Sequence, residues 1–208
     1  KTKPYIIYTD QKAAGEKFER GLEKIYAFVT KQFGFRDRAE PLIAYLFMKK
    51  EDYHAFVIRN GVLDPQTAKA SAGVGCAEFY ATFYQAPEAS VVVHEATHQL
   101  VHALGKVGGG GSWFQEGWAV YTESAYFGRS AAKDFKSNFK IKDGFTPFGD
   151  LVGIPVLLSG RNASRNYATA GALFDFLFRR LLVDDPWFED LAYRWAQPTS
   201  AMGISSNA

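Results

Sequence analysis

His94-Glu95-Ala96-Thr97-His98 is a H-E-x-x-H sequence, and its residue types can bind a metal and move a proton. On a helix, residues four apart lie one turn apart on one face, so both imidazoles can reach a single ion at about 2.0–2.1 Å. Zinc is the expected occupant. Glu95 lies about 100° round the helix from His94, beside the ion rather than on it, where its carboxylate can take a proton from water. The competing reading is a polar helix face with two histidines satisfied in other ways. The pattern is rare by residue frequency, so the chemical reading outweighs it.

Two histidines are too few ligands, because a catalytic zinc takes three from the protein and keeps a fourth position open. Glu116, in Trp113-Phe114-Gln115-Glu116-Gly117-Trp118, is the candidate for the third, against the alternative of a solvated glutamate favoured near a helix start by the dipole. His102 continues the four-residue spacing. It lies about 12 Å along the axis and about 80° round from His94, too far to share the ion, and is expected in a polar supporting role. His54 is expected at the surface of a short helix. Trp118, Phe174 and Phe176 are expected in the core rather than on a substrate platform.

These residues need elements to carry them. Tyr5 to Thr9 reads as a strand, and Asp10 as the cap of a helix with apolar positions Phe18, Leu22, Ile25, Val29 and Phe33, ended by Gly34. Leu42 to Phe47 is an apolar run expected as a covered strand, followed by a helix over Lys49 to Val57. Gly73 to Tyr84 is expected to supply one or two strands, one of them at a sheet edge. Pro87, Glu88 and Ser90 are start signals for the helix bearing the histidines, and Gly105 is its stop. After Gly108 to Ser112 a second helix should run from near Trp113 to about Phe127, then amphipathic helices over Tyr167–Leu182 and Pro186–Ala196. The predicted class is α+β: one domain over 1–208, with a mixed-sheet lobe and metal helix over about 1–105 and a mostly helical lobe over about 113–208.

H-E-x-x-H followed by W-x-x-E-G-x-A-x-Y-x-E, here Trp113 to Glu123, resembles the gluzincin metallopeptidases, in particular their aminopeptidase-like branch, and the wider pattern resembles small peptidase-MA-like domains of bacterial proteins. The resemblance implies a zincin-like fold and a zinc held by His94, His98 and Glu116. It also implies Glu95 as general base and Glu123 as a buttress of a ligand histidine. Asn166-Tyr167-Ala168-Thr169-Ala170-Gly171 is similar to the segment in which a tyrosine opens a helix facing the metal. That makes Tyr167 the expected oxyanion donor, with ring packing as the alternative and Tyr121 as a weaker rival. The G-x-M-E-N segment that holds a free amino terminus is absent, and Gly73 to Glu78 stands in the corresponding region, so the resemblance does not extend to exopeptidase specificity. Substrate is expected to lie extended along the strand within Gly73 to Tyr84.

Composition narrows the function classes. Hydrophobic residues at 47% and charged residues at 22% are ordinary globular usage, which excludes disordered and collagen-like chains. Lys plus Arg at 24 against Asp plus Glu at 22 leaves no basic block for a phosphate backbone, so nucleic acid is not the expected partner, and the resemblance implies a peptide or protein substrate. No apolar run approaches the roughly 18 residues of a membrane span. Cys76 is the only cysteine; an intrachain disulfide is excluded, the thiol is expected buried and inert, and a structural Cys-ligated zinc site is disfavoured. Opening on Lys1 rather than Met raises the expectation of a leader or other upstream segment, as in a secreted or periplasmic protein. Asn162-Ala163-Ser164 fits a glycosylation sequon, a pattern short enough to arise by chance. Two functions remain in competition: zinc-dependent peptide hydrolysis, and a non-catalytic zinc-binding interaction module. The presence of Glu95 favours the first.

Overall fold

In the computed structural model, which describes residues 3–138, 144–154 and 162–181, the chain divides into two compact units, Lys1–Gly105 and Lys106–Ala208. The class is α+β, as expected. The first unit holds strands β1 (Tyr5–Thr9), β2 (Leu42–Phe47), β3 (Gly73–Gly75) and β4 (Phe79–Phe83). Its helices are α1 (Lys12–Phe33), α2 (Lys50–Arg59), α3 (Pro65–Ala70) and α4 (Ser90–Ala103). The described part of the second unit is helical: α5 (Gly111–Tyr126), α6 (Ala131–Asn138), α7 (Phe148–Val152) and α8 (Ala163–Leu181).

The sheet runs β1-β2-β4-β3. β1, β2 and β4 are parallel, with Ile7 opposite Ala44 and Ala44 opposite Tyr80. β3 is antiparallel to β4 and closes the sheet, Gly73 facing Thr82 and Gly75 facing Tyr80. Leu42, Ala44 and Leu46 of β2 are fully buried while Ile43, Tyr45 and Phe47 are half-buried. The expected two-sided cover is therefore complete on one face and partial on the other.

Helix α1 buries Phe18, Leu22, Ile25 and Val29, the helical spacing read in the sequence, and packs on β1 and α4. Its N-cap is Gln11 in extended conformation with no side-chain cap, so Asp10 lies one residue outside and does not cap it. Gly34 does end it, in the left-handed conformation at φ 67°, where a β-carbon would be strained. On the partly covered face, Tyr53, Val57, Ala68 and Ala81 form a buried cluster flanked by Tyr45, Phe47, Phe56, Phe79 and Phe83. Helix α3 begins at Pro65 behind Asp64, whose carboxylate accepts from the Gln66 and Thr67 amides, a polar cap with proline at the first helical position.

Helix α4 stops at Ala103, and Gly105 does not act through a left-handed turn. A β-carbon there would be 2.7 Å from the Val101 carbonyl oxygen and 2.9 Å from the Phe35 ring, so glycine is needed for close packing. At the start of α4 neither Glu88 nor Ser90 caps it; the N-cap position is Ala89.

In the second unit, α5 and α8 lie backbone to backbone. A β-carbon on Gly117 would be 2.7 Å from the Ala170 carbonyl oxygen, and one on Gly171 would be 2.3 Å from Val120 Cγ1. Trp118 stacks on Phe174 at 5.2 Å between ring centroids, with Phe114 and Tyr121 also against Phe174. Trp118 and Phe174 are core residues as expected, but Phe176 is 57% exposed. Two positions beyond Phe174 it is about 200° round the helix and faces away from the packed side. The helix expected over Pro186–Ala196 lies outside the described residues.

Candidate metal centre

Helix α4, which carries the two histidines, buries Val92, Val93, Ala96, Leu100 and Val101. His94, Glu95 and His98 are half-buried on the remaining stripe. Sequence reasoning missed the residue that ties this helix down. Gln99 is fully buried, and its Nε2 donates to the Ile43 carbonyl oxygen of the central strand at 2.9 Å. Its signal is position: seven residues after Val92 and three after Ala96, Gln99 falls on the apolar side of α4, where a buried amide must find a partner.

The Nε2 atoms of His94 and His98 are 3.3 Å apart, with ring centroids 5.0 Å apart and planes inclined at 77°. Two nitrogens bonded at 2.0–2.1 Å to one tetrahedral ion stand about 3.3–3.4 Å apart, so the pair has the spacing of two ligands of one metal. One donor atom each from His94, His98 and Glu116 lies within 4.8 Å of the other two. This is the one such cluster of three or more metal-binding side chains among the described residues, and His102 is not part of it. Two imidazoles and one carboxylate make a three-ligand set that can bind a metal ion.

Glu116 is in the second turn of α5, and the neighbouring Gln115 donates its Nε2 to the Gly109 carbonyl oxygen at 2.5 Å. Gly110 and Gly111 take left-handed conformations at φ 87° and 77°, a turn that β-branched residues could not make. The Gly117 contact with Ala170 holds the same turn of α5 against α8. The E-G pair of the motif thus joins a candidate ligand to a packing glycine.

Glu95 faces the edge strand. A β-carbon on Gly73 would be 3.1 Å from Glu95 Cγ, and one on Gly75 would be 2.0 Å from the Glu95 carbonyl oxygen. Burial pushes the Tyr53 phenol up to about 12, and the Glu95 carboxylate adds to the rise. Tyr80 is also raised, by burial first and by the Glu95 charge among smaller contributions.

Tyr167 is half-buried in α8. It shares with Glu123 a cleft of about 580 Å³ in the second unit, also lined by Arg129 and Asp134. Glu123 is 3.6 Å from Arg129. Tyr121, the rival phenol, is buried with its ring against Phe174 and Phe178. His54 is half-buried beside Tyr53 rather than freely exposed. Cys76 is half-buried, with its thiol donating to the Phe79 carbonyl oxygen at 3.3 Å and raised in pKa chiefly by burial.

Compared with protein families, with curated proteins and with solved structures, the chain matches none. Among the described residues no helix is long and apolar enough to cross a membrane.

Proposed function

We propose that this chain is a zinc-dependent peptidase of the gluzincin type, acting on peptide or protein substrates. The observation that carries the reading is the convergence of the His94, His98 and Glu116 donor atoms within 4.8 Å, in a chain that also places a glutamate between the two histidines. In this reading those three residues hold the metal. Zinc bound there would supply a Lewis acid that polarises the scissile carbonyl and acidifies water.

The protein's own residues divide the remaining work. Glu95 takes the proton from the attacking water and passes it to the leaving amine. Tyr167 donates its phenolic hydrogen to the oxygen that gains charge as the carbonyl becomes tetrahedral. Glu123 supports the ligand set. The substrate backbone lies along the edge strand β3, where glycines permit close approach.

The test compares the parent with Glu95→Gln by elemental analysis and by digestion of a peptide library. Expected are one zinc per chain in both proteins and cleavage by the parent alone. Zinc in both with cleavage by neither would instead mark a non-catalytic binding module, and no bound zinc would end both readings.

A further inference from the structure

We infer that Tyr53 and Ser71 are positioning residues for Glu95, holding strand β3 as a fixed wall against the turn of α4 that carries it. The inference rests on the reading of Glu95 as general base. Its starting point is the contact already described: only a residue without a β-carbon fits at Gly75, where that carbon would be 2.0 Å from the Glu95 carbonyl oxygen and 3.0 Å from the Gln99 amide nitrogen. Gly73 meets the Glu95 side chain itself, at 3.1 Å from Cγ to an added β-carbon. Main chain and side chain of Glu95 are therefore both bounded by the backbone of β3.

A wall sets a carboxylate only if it does not move, and β3 is poorly held by its ladder alone. It is three residues long, at the end of the sheet, and paired with β4. Side chains supply the missing restraint. Ser71 Oγ donates to the Gly73 carbonyl oxygen at 2.6 Å, and the Tyr53 hydroxyl is 2.6 Å from Ser71 Oγ. A serine hydroxyl has one hydrogen, here given to Gly73, so Tyr53 donates to Ser71. One residue back, the Ala72 carbonyl oxygen accepts from Thr82 Oγ1 at 2.7 Å and from Gln85 Nε2 at 3.3 Å.

The far end of this hydrogen-bond series is held by packing. Tyr53 is fully buried among Val57, Ala68 and Ala81 with the rings of Phe47 and Phe83 around it. Packing fixes the ring, the ring fixes the hydroxyl, and Tyr53 to Ser71 to Gly73 carries that order to the edge strand beside Glu95. The phenol stays protonated through the neutral range, since burial pushes its pKa up to about 12, and so remains a donor wherever a carboxylate base would work.

The test makes Tyr53→Phe and Ser71→Ala, singly and together. It reads kcat and KM on a cleaved peptide, bound zinc, and amide hydrogen exchange over residues 72–75. Exchange there should accelerate at least about tenfold with α1 unchanged, as local opening becomes easier. At the same time kcat should fall about tenfold or more with KM and zinc unchanged, because a small misplacement of a catalytic group is enough. The double variant should lose no more than the larger single loss. Should Tyr53→Phe fail to fold, Ser71→Ala alone carries the test. Unchanged exchange overturns the inference without touching the peptidase reading. A loss carried in KM with kcat unchanged also overturns it, since the base is then still in place. A parent that cleaves no peptide sinks the general-base reading, and the inference with it.

Discussion

Gln99 donates its side-chain amide to the Ile43 carbonyl oxygen at 2.9 Å from a fully buried position, so the helix bearing both histidines is bonded to the central strand of the sheet. Gln99→Met keeps the volume and removes the donor, leaving a buried carbonyl without that partner. We expect a loss of about 1–3 kcal/mol in stability, measured by urea unfolding. A loss below about 0.5 kcal/mol would show that the bond does not anchor the helix.

Glu116 and His102 separate the two ways of completing a three-ligand set. Glu116→Ala should lower zinc affinity by at least about tenfold, since a two-histidine site lacks a ligand, while His102→Ala should bind zinc as the parent does. Competition with a chromogenic chelator reads both. The reverse order of effects would transfer the third ligand to His102.

Tyr167→Phe removes only a hydroxyl. With fold and zinc retained, turnover should drop by roughly a hundredfold, on the scale of losing one oxyanion donor. Parental turnover in this variant, with zinc confirmed, would leave Tyr167 as a residue of the cleft it shares with Glu123.

Gly117 sits where α5 meets α8, with no room for a β-carbon 2.7 Å from the Ala170 carbonyl oxygen. Backbone must move to admit one, so Gly117→Ala should destabilise the second unit by about 1–3 kcal/mol. Thermal unfolding measures it. An unchanged midpoint would mean the two helices separate without cost.

Asp175 is buried and accepts from the Ser130 hydroxyl at 2.6 Å and the Ala132 amide at 3.1 Å, with Arg179 as its ion-pair partner. Burial pushes its carboxyl up, but these donors together hold it below the usual carboxylate range. The group is thus more acidic folded than unfolded. Its contribution is complete above the unfolded value of about 4 and is lost as pH falls through the folded value. Asp175→Asn should cost on the order of 2 kcal/mol at neutral pH, and the gap to the parent should narrow below about pH 4. Urea unfolding across pH 3–7 checks this, and a gap independent of pH would remove the ionised carboxylate from the account.

Local periodicity is the part of this structure that can be read along the chain. The 3.6-residue turn places His94 and His98 on one face wherever α4 forms, and the apolar spacing of Phe18, Leu22, Ile25 and Val29 specifies the buried side of α1. Gly34 as a helix stop and Gly73–Tyr84 as the source of an edge strand follow from the same local rules. Helix caps were less legible: Asp10 can cap a helix in principle, but the chain enters α1 at Gln11, because tertiary packing sets where a helix starts and a capping side chain is only a preference. Phe176 went astray because hydrophobicity alone does not tell which side of α8 meets α5. The tertiary structure alone brings the Glu116 carboxylate, eighteen residues beyond His98, within 4.8 Å of the imidazole donors. It alone decided that Gly73 and Gly75 press on Glu95, and that Gln99 finds the Ile43 carbonyl oxygen. Each of these joins residues far apart along the chain, and such contacts depend on how whole elements pack, which no spacing within one helix or strand encodes.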